Sequence, residues 1–140
     1  MVLIVEDDAN TREMYADILR DAGVCCVATG AADHAWRLAT SQRFEAVLLD
    51  VGLPRISDGL RLALQLRSLP DAPILIASTG HMLEPWTAKL FQTALHKPVD
   101  MDLIVSTVRS AIGYGIQPRL PFPGVREEDR HARPDRRPSR

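Results

Sequence analysis

Ala46-Val47-Leu48-Leu49-Asp50 is an apolar run closed by an acid, and Val51-Gly52-Leu53-Pro54 follows it. An acid at the end of a buried strand is expensive unless something binds it. The chain opens in the same way, with Val2-Leu3-Ile4-Val5 running straight into Glu6-Asp7-Asp8. Two such strands would bring several carboxylates to one edge of a sheet. Like charges at that distance repel one another and demand a cation.

Outward from these two strands, strand and helix signals alternate along the chain. Short apolar segments of strand length are Val2–Val5, Val24–Ala28, Ala46–Leu49, Ile74–Ala77 and Thr93–His96. The first helix, about Ala9 to Ala22, places Met14, Tyr15, Ile18, Leu19 and Ala22 on one face, and Gly23 ends it. A second helix spans about Ala31 to Ser41, and a third about Asp58 to Leu69, where Pro70 stops it. A fourth, weaker signal covers Glu84 to Gln92 and contains Pro85. The fifth follows Pro98 with Asp100 as cap, and its periodicity buries Leu103, Ile104, Thr107, Val108 and Ala111. Five βα units with near-continuous apolar strands predict a parallel sheet covered on both faces.

At 140 residues and 46% hydrophobic content the chain can bury a substantial core. A formal net charge of −1 gives no electrostatic case for nucleic acid or membrane binding. The two cysteines, Cys25 and Cys26, are adjacent, so they form no disulfide framework and read as small core fillers. No apolar run approaches membrane-spanning length and the start has no basic leader, so the expected location is cytoplasmic. Composition breaks near Gly113. Residues 114–140 carry seven arginines against four acids and half of the ten prolines. The expectation is one domain over 1–113 and a Pro/Arg-rich, disordered tail over 114–140.

In a sheet of this kind ligands bind beyond the carboxyl ends of the strands. The polar residues there are Glu6, Asp7 and Asp8, then Asp50, then Ser78 and Thr79, then Lys97. The acids suit a hard divalent cation, most plausibly Mg2+, held through oxygens with waters retained. A carboxylate can act as a nucleophile toward phosphorus, while an ammonium group and a hydroxyl can meet the oxygens of a transferring phosphoryl group.

The chain up to Gly113 resembles the receiver domain of two-component response regulators. The resemblance rests on Ile4-Val5-Glu6-Asp7-Asp8, Leu48-Leu49-Asp50-Val51-Gly52-Leu53-Pro54, Asp58-Gly59, Pro73-Ile74-Leu75-Ile76-Ala77-Ser78 and Lys97-Pro98, in that order. It implies a flavodoxin-like (βα)5 doubly wound fold with strand order 2-1-3-4-5. It implies that Asp50 is the phosphoacceptor, Asp7 a direct Mg2+ ligand, Glu6 a ligand through water, and the Gly52 carbonyl a further ligand. Ser78 takes the switch hydroxyl position, Thr79 the small-residue position beside it, and Lys97 the phosphate-contacting position. The Lys97-Pro98 bond is expected to be cis. Counting from Pro73 selects Ser78 over Thr79, and strand alternation lets only one of them face Asp50.

The function so implied is that of a single-domain response regulator. It would take a phosphoryl group from a sensor histidine kinase or a histidine phosphotransfer protein and act through contact with a downstream protein, without binding DNA or membrane. It would catalyse only its own phosphorylation and dephosphorylation. Two alternatives share part of this pattern. A pseudo-receiver scaffold would keep the fold without phosphorylation. A haloacid-dehalogenase-type Mg2+ phosphatase needs a second acid two residues past its nucleophile, where Gly52 stands.

Three features depart from the family pattern. The loop from Leu53 to Gly59 is one residue longer than usual. The Ser78–Lys97 segment is about three residues shorter, which predicts a short or shifted fourth helix. Ala94 occupies a position that is often aromatic. Asp8 reads as a helix cap, the four histidines as surface or core residues without metal-ligand spacing, and Trp86 and Phe91 as packing residues.

Overall fold

The computed structural model describes residues 1–53 and 55–113, with Ile56 described by its backbone alone. The expected tail at 114–140 lies outside the described residues. Among the described residues ten elements alternate: β1 Val2–Val5, α1 Ala9–Asp21, β2 Cys26–Thr29, α2 Ala32–Ser41, β3 Ala46–Asp50, α3 Ile56–Arg67, β4 Ile74–Thr79, α4 Pro85–Ala88, β5 Thr93–His96 and α5 Met101–Ala111. The strands form one parallel sheet in the order β2-β1-β3-β4-β5. This is the flavodoxin-like arrangement that the sequence predicts.

Strand alternation divides the core in two. Val2 and Ile4, Ala46 and Leu48, Ile74 and Ile76, and Leu95 face one side, where Tyr15, Ala16 and Leu19 of α1 and Ile104, Val108 and Ala111 of α5 cover them. Leu3 and Val5, Val47 and Leu49, and Leu75 and Ala77 face the other side, beneath Ala35 of α2, Leu62, Ala63 and Leu66 of α3, and Phe91. A strand buried on both faces has no polar side to offer, which is why β1, β3 and most of β4 read as continuous apolar runs.

Local signals fix the helix ends. Asp8 caps α1 by accepting from the Thr11 amide (2.9 Å) and the Thr11 hydroxyl (2.6 Å), and Gly23 follows the helix at φ 81°. Asp100 caps α5 through the Leu103 amide (3.1 Å). Arg109 of α5 donates to the Ala22 carbonyl at the end of α1, which ties the two helices on that face together.

The fourth helix is short, as the Ser78–Lys97 spacing predicts, although it covers Pro85–Ala88 and not Glu84 to Gln92, and several other expectations are corrected. The fourth helix is a single turn with Pro85 in its first position, and the Leu90 and Phe91 amides continue it only as i→i+3 turns. Phe91 is buried, as expected, but Trp86 is 59% exposed and packs into neither core. Cys25 is exposed and only Cys26 packs against the core; β2 begins at Cys26, two residues later than the apolar stretch suggests. Met14 and Leu103 lie on the rims of their helices and are exposed. Helix α3 starts at Ile56, ahead of the expected Asp58. Among the described residues no helix is long and apolar enough to cross a membrane.

Candidate active site

Sheet register brings the candidate residues together. Asp50 ends β3 and pairs with Ser78 of β4; Ser78 in turn pairs with Leu95 of β5. Glu6 is the first residue past β1, and Lys97 the first past β5. Counting in twos from Ile4, Leu48, Ile76 and Leu95 puts Glu6, Asp50, Ser78 and Lys97 on the same side of the sheet, above α1 and α5. Four strands thus deliver two carboxylates, a hydroxyl and an ammonium group to one edge. Thr79 has the opposite parity. Its hydroxyl donates to the His81 carbonyl (2.9 Å) and accepts from the His81 amide (3.0 Å), so it fastens the loop after β4.

The carboxylates form a tight group. Glu6, Asp7 and Asp50 each offer an oxygen, and these oxygens all lie within 4.8 Å of one another. Asp8, already occupied as a cap, stands outside this group. Glu6 is almost wholly buried and Asp50 is 7% exposed, whereas Asp7 faces solvent. Lys97 answers part of the repulsion: its Nζ donates to Glu6 Oε1 (3.2 Å) and Oε2 (3.1 Å) and lies 3.5 Å from Asp50 Oδ2. The Gly52 amide donates to Asp50 Oδ1 (3.0 Å), which orients the carboxylate from the loop side. The Lys97-Pro98 bond is cis, and Pro98 is exposed beside the site.

Electrostatics follow from this geometry. Burial, and then the Asp50 charge, push Glu6 up from 4.5 to about 7 despite its bonds to Lys97. Partial desolvation and the neighbouring Asp50 carboxylate raise Asp7 as well. Burial presses Lys97 downward, but the Glu6 bond and the Asp50 charge outweigh it and leave the ammonium above its ordinary value. Three carboxylates against one ammonium leave a local deficit of two positive charges when all are ionised. An oxygen-only donor set with that deficit fits a hard divalent cation.

Two contributors escape sequence reasoning. Arg12 donates from Nη1 to the Glu6 carbonyl (2.9 Å) and the Asp7 carbonyl (3.4 Å), and so braces the acidic turn after β1. Tyr15, which the helical pattern assigns to the apolar face of α1, places its hydroxyl 3.0 Å from Ser78 Oγ. A tyrosine among aliphatic residues is the one signal of this contact in the sequence, and it does not name the partner.

Comparison with known proteins gives a consistent result. The response regulator receiver domain family matches residues 2–109. Sensor protein TorS of Escherichia coli is 32% identical over 108 residues, which is 74% of this chain and 12% of that protein. Response regulator MprA of Mycolicibacterium vanbaalenii is 32% identical over 115 residues, which is 79% of this chain and 49% of that protein. The chain therefore spans less than half the length of either relative. Among solved structures, a CheY-like response regulator receiver domain from Methylobacillus flagellatus has a TM-score of 0.71 at 28% identity, covering 79% of this chain and 96% of that one. Receiver domains bind Mg2+ in an acidic pocket, and Glu6, Asp7 and Asp50 form an acidic cluster here. They partner with sensor histidine kinases and are in general not enzymes with a separate substrate. By the extent of the family match and by its sheet order, the chain belongs to the receiver domain family of two-component response regulators.

Proposed function

We propose that this protein accepts a phosphoryl group on Asp50 from a phosphohistidine donor, carried by a sensor histidine kinase or a histidine phosphotransfer protein, and reports the modification by contact with another protein. The observation that carries the reading is the setting of the Asp50 carboxylate. One oxygen is held by the Gly52 amide at 3.0 Å, the other faces the Lys97 ammonium at 3.5 Å, and Glu6 and Asp7 stand beside it.

Mg2+ bound by Asp7, Asp50 and the Gly52 carbonyl, with Glu6 reached through water, would supply charge neutralisation for the phosphoryl oxygens. The chain's own residues do the rest. An Asp50 oxygen attacks phosphorus in line with the phosphohistidine nitrogen. The O–P bond forms as the N–P bond breaks, and the electron pair remains on the imidazole nitrogen, which water reprotonates. Lys97 turns from its carboxylate partners to a phosphoryl oxygen, and Ser78 donates its hydroxyl proton to another. Hydrolysis reverses the gain: water attacks phosphorus, the O–P bond to Asp50 breaks, and the carboxylate is restored.

Incubation with acetyl phosphate and Mg2+, followed by mapping of acid-labile phosphate, tests this reading. Asp50→Ala and Asp7→Ala should each abolish incorporation. Undiminished labelling of Asp50→Ala would refute the assignment of the acceptor.

A further inference from the structure

Ser78 has a second neighbour besides Asp50. The hydroxyls of Ser78 and Tyr15 meet at 3.0 Å, and both residues are nearly inaccessible, at 1% and 2% exposure. The Tyr15 ring is packed in the same core as Leu19, Ile104 and Val108, so its hydroxyl cannot turn to solvent without moving α1. A buried tyrosine hydroxyl needs a partner, and leaving it unpaired costs more than the bond itself contributes. Ser78 is the partner that the structure gives it. Burial raises the Tyr15 pKa, so the group stays a neutral hydroxyl near pH 7. On β5, Ala94 carries no side chain long enough to follow a movement of Ser78.

We propose that Tyr15 is the positioning residue for Ser78: it holds the hydroxyl toward α1 in the resting protein, and phosphorylation of Asp50 breaks the Tyr15–Ser78 bond as Ser78 turns to the phosphoryl group. This rests on the function proposed above. The competition is geometric. Either hydroxyl can be the donor in the resting bond, so the competition is for the position of Ser78 Oγ and not for its proton: Ser78 pairs in register with Asp50, whereas Tyr15 reaches it from the helix layer below. Once Ser78 turns, the Tyr15 hydroxyl is left unpaired in the core, and the change enters α1 and, through the Arg109–Ala22 bond, α5.

The chain contains two tyrosines, Tyr15 and Tyr114, so tyrosine labelled with 13C at Cζ gives two resonances, which Tyr15→Phe assigns. The probe is beryllofluoride with Mg2+, and its binding is followed independently by 19F NMR. In the wild type, bound beryllofluoride should move the Tyr15 resonance to the position it has in apo Ser78→Ala, where the partner hydroxyl is missing. Tyr15→Phe keeps the ring but removes the resting bond, and should bind beryllofluoride roughly two- to tenfold more tightly, the range of one ordinary hydrogen bond. In a Ser78→Ala background the same substitution should change the affinity little. Beryllofluoride bound with an unmoved Tyr15 resonance, or an equal gain in both backgrounds, would overturn this inference and leave the proposed function standing. Failure of beryllofluoride to bind in the presence of Mg2+ would overturn both.

Discussion

Glu6→Gln isolates the cost of crowding carboxylates at the sheet edge. Glu6 is 1% exposed and titrates at about 7 in the folded protein, with burial the first cause and Asp50 the second. In the unfolded chain it returns to about 4.5. The folded state therefore holds this proton more tightly than the unfolded one, and wild-type stability falls as pH rises from about 4.5 to about 7. That interval is worth about 3 kcal/mol, a large part of the total for a domain of this size. Glutamine cannot ionise, but its side-chain oxygen still accepts from Lys97. Lys97 is raised above 10.5 and stays charged throughout this range, so its own contribution does not vary with pH here. Urea unfolding in EDTA, followed by tryptophan fluorescence, should show the two proteins within about 1 kcal/mol near pH 4.5. By pH 8 the variant should lead by about 3 kcal/mol. A stability difference that stays flat with pH, or one that favours the wild type at pH 8, would refute the reasoning.

Lys97→Ala should lower apo stability by about 1 to 3 kcal/mol, because it leaves the buried Glu6 carboxylate without its ammonium partner; urea unfolding at pH 8 measures this, and no loss would show the pair to be idle. The same variant should still bind Mg2+ but show no beryllofluoride-dependent amide shifts in NMR spectra. Gly59→Ala should destabilise in spite of the better helix former, since a Cβ there would lie 2.8 Å from the Val51 carbonyl carbon and 3.0 Å from its Cα. Overpacking of about 1 to 3 kcal/mol exceeds the roughly 1 kcal/mol of helix propensity gained, and an unchanged midpoint in denaturant would disprove this. Within residues 1–113, hydrogen exchange should be fastest between residues 79 and 92, where α4 is one turn long and Met82 and Trp86 are exposed. Protection there equal to that of β1 or β3 would contradict the expectation.

The parts of the fold legible in the sequence are those in which burial and backbone period agree. The apolar runs of β1, β3 and β4, the Asp8 and Asp100 caps and the stop at Gly23 all state their structure locally. Strand β4 extends two residues past its apolar run because Ser78 and Thr79 still pair with Leu95 and His96, an interaction that hydrophobicity does not register. Exposure of Trp86 was hidden for the opposite reason: a large aromatic residue suggests packing, but a single turn presents only one side to the core, Thr87 takes it, and Phe91 fills the core from beyond the turn. The acid, hydroxyl and ammonium set was visible because its members close strands. Tyr15 was not, since its partner lies 63 residues away and the helical pattern records only that the position is apolar.

The hydrogen-bond ladder has a consequence for how such a site tolerates change. Thr79 pairs with His96 and Asp50 with Ser78, so the positions of Ser78 and Lys97 are counted along strands and not along the connections between them. The segment that holds α4 can lose a turn, and the loop after Asp50 can gain a residue, while each side chain stays at the same rung. Chain length is therefore a free variable in the connections beside the site, including the segment where Met82 and Trp86 stand exposed. A lineage can reshape these connections by insertion and deletion while the strand pairing keeps the reacting atoms in place.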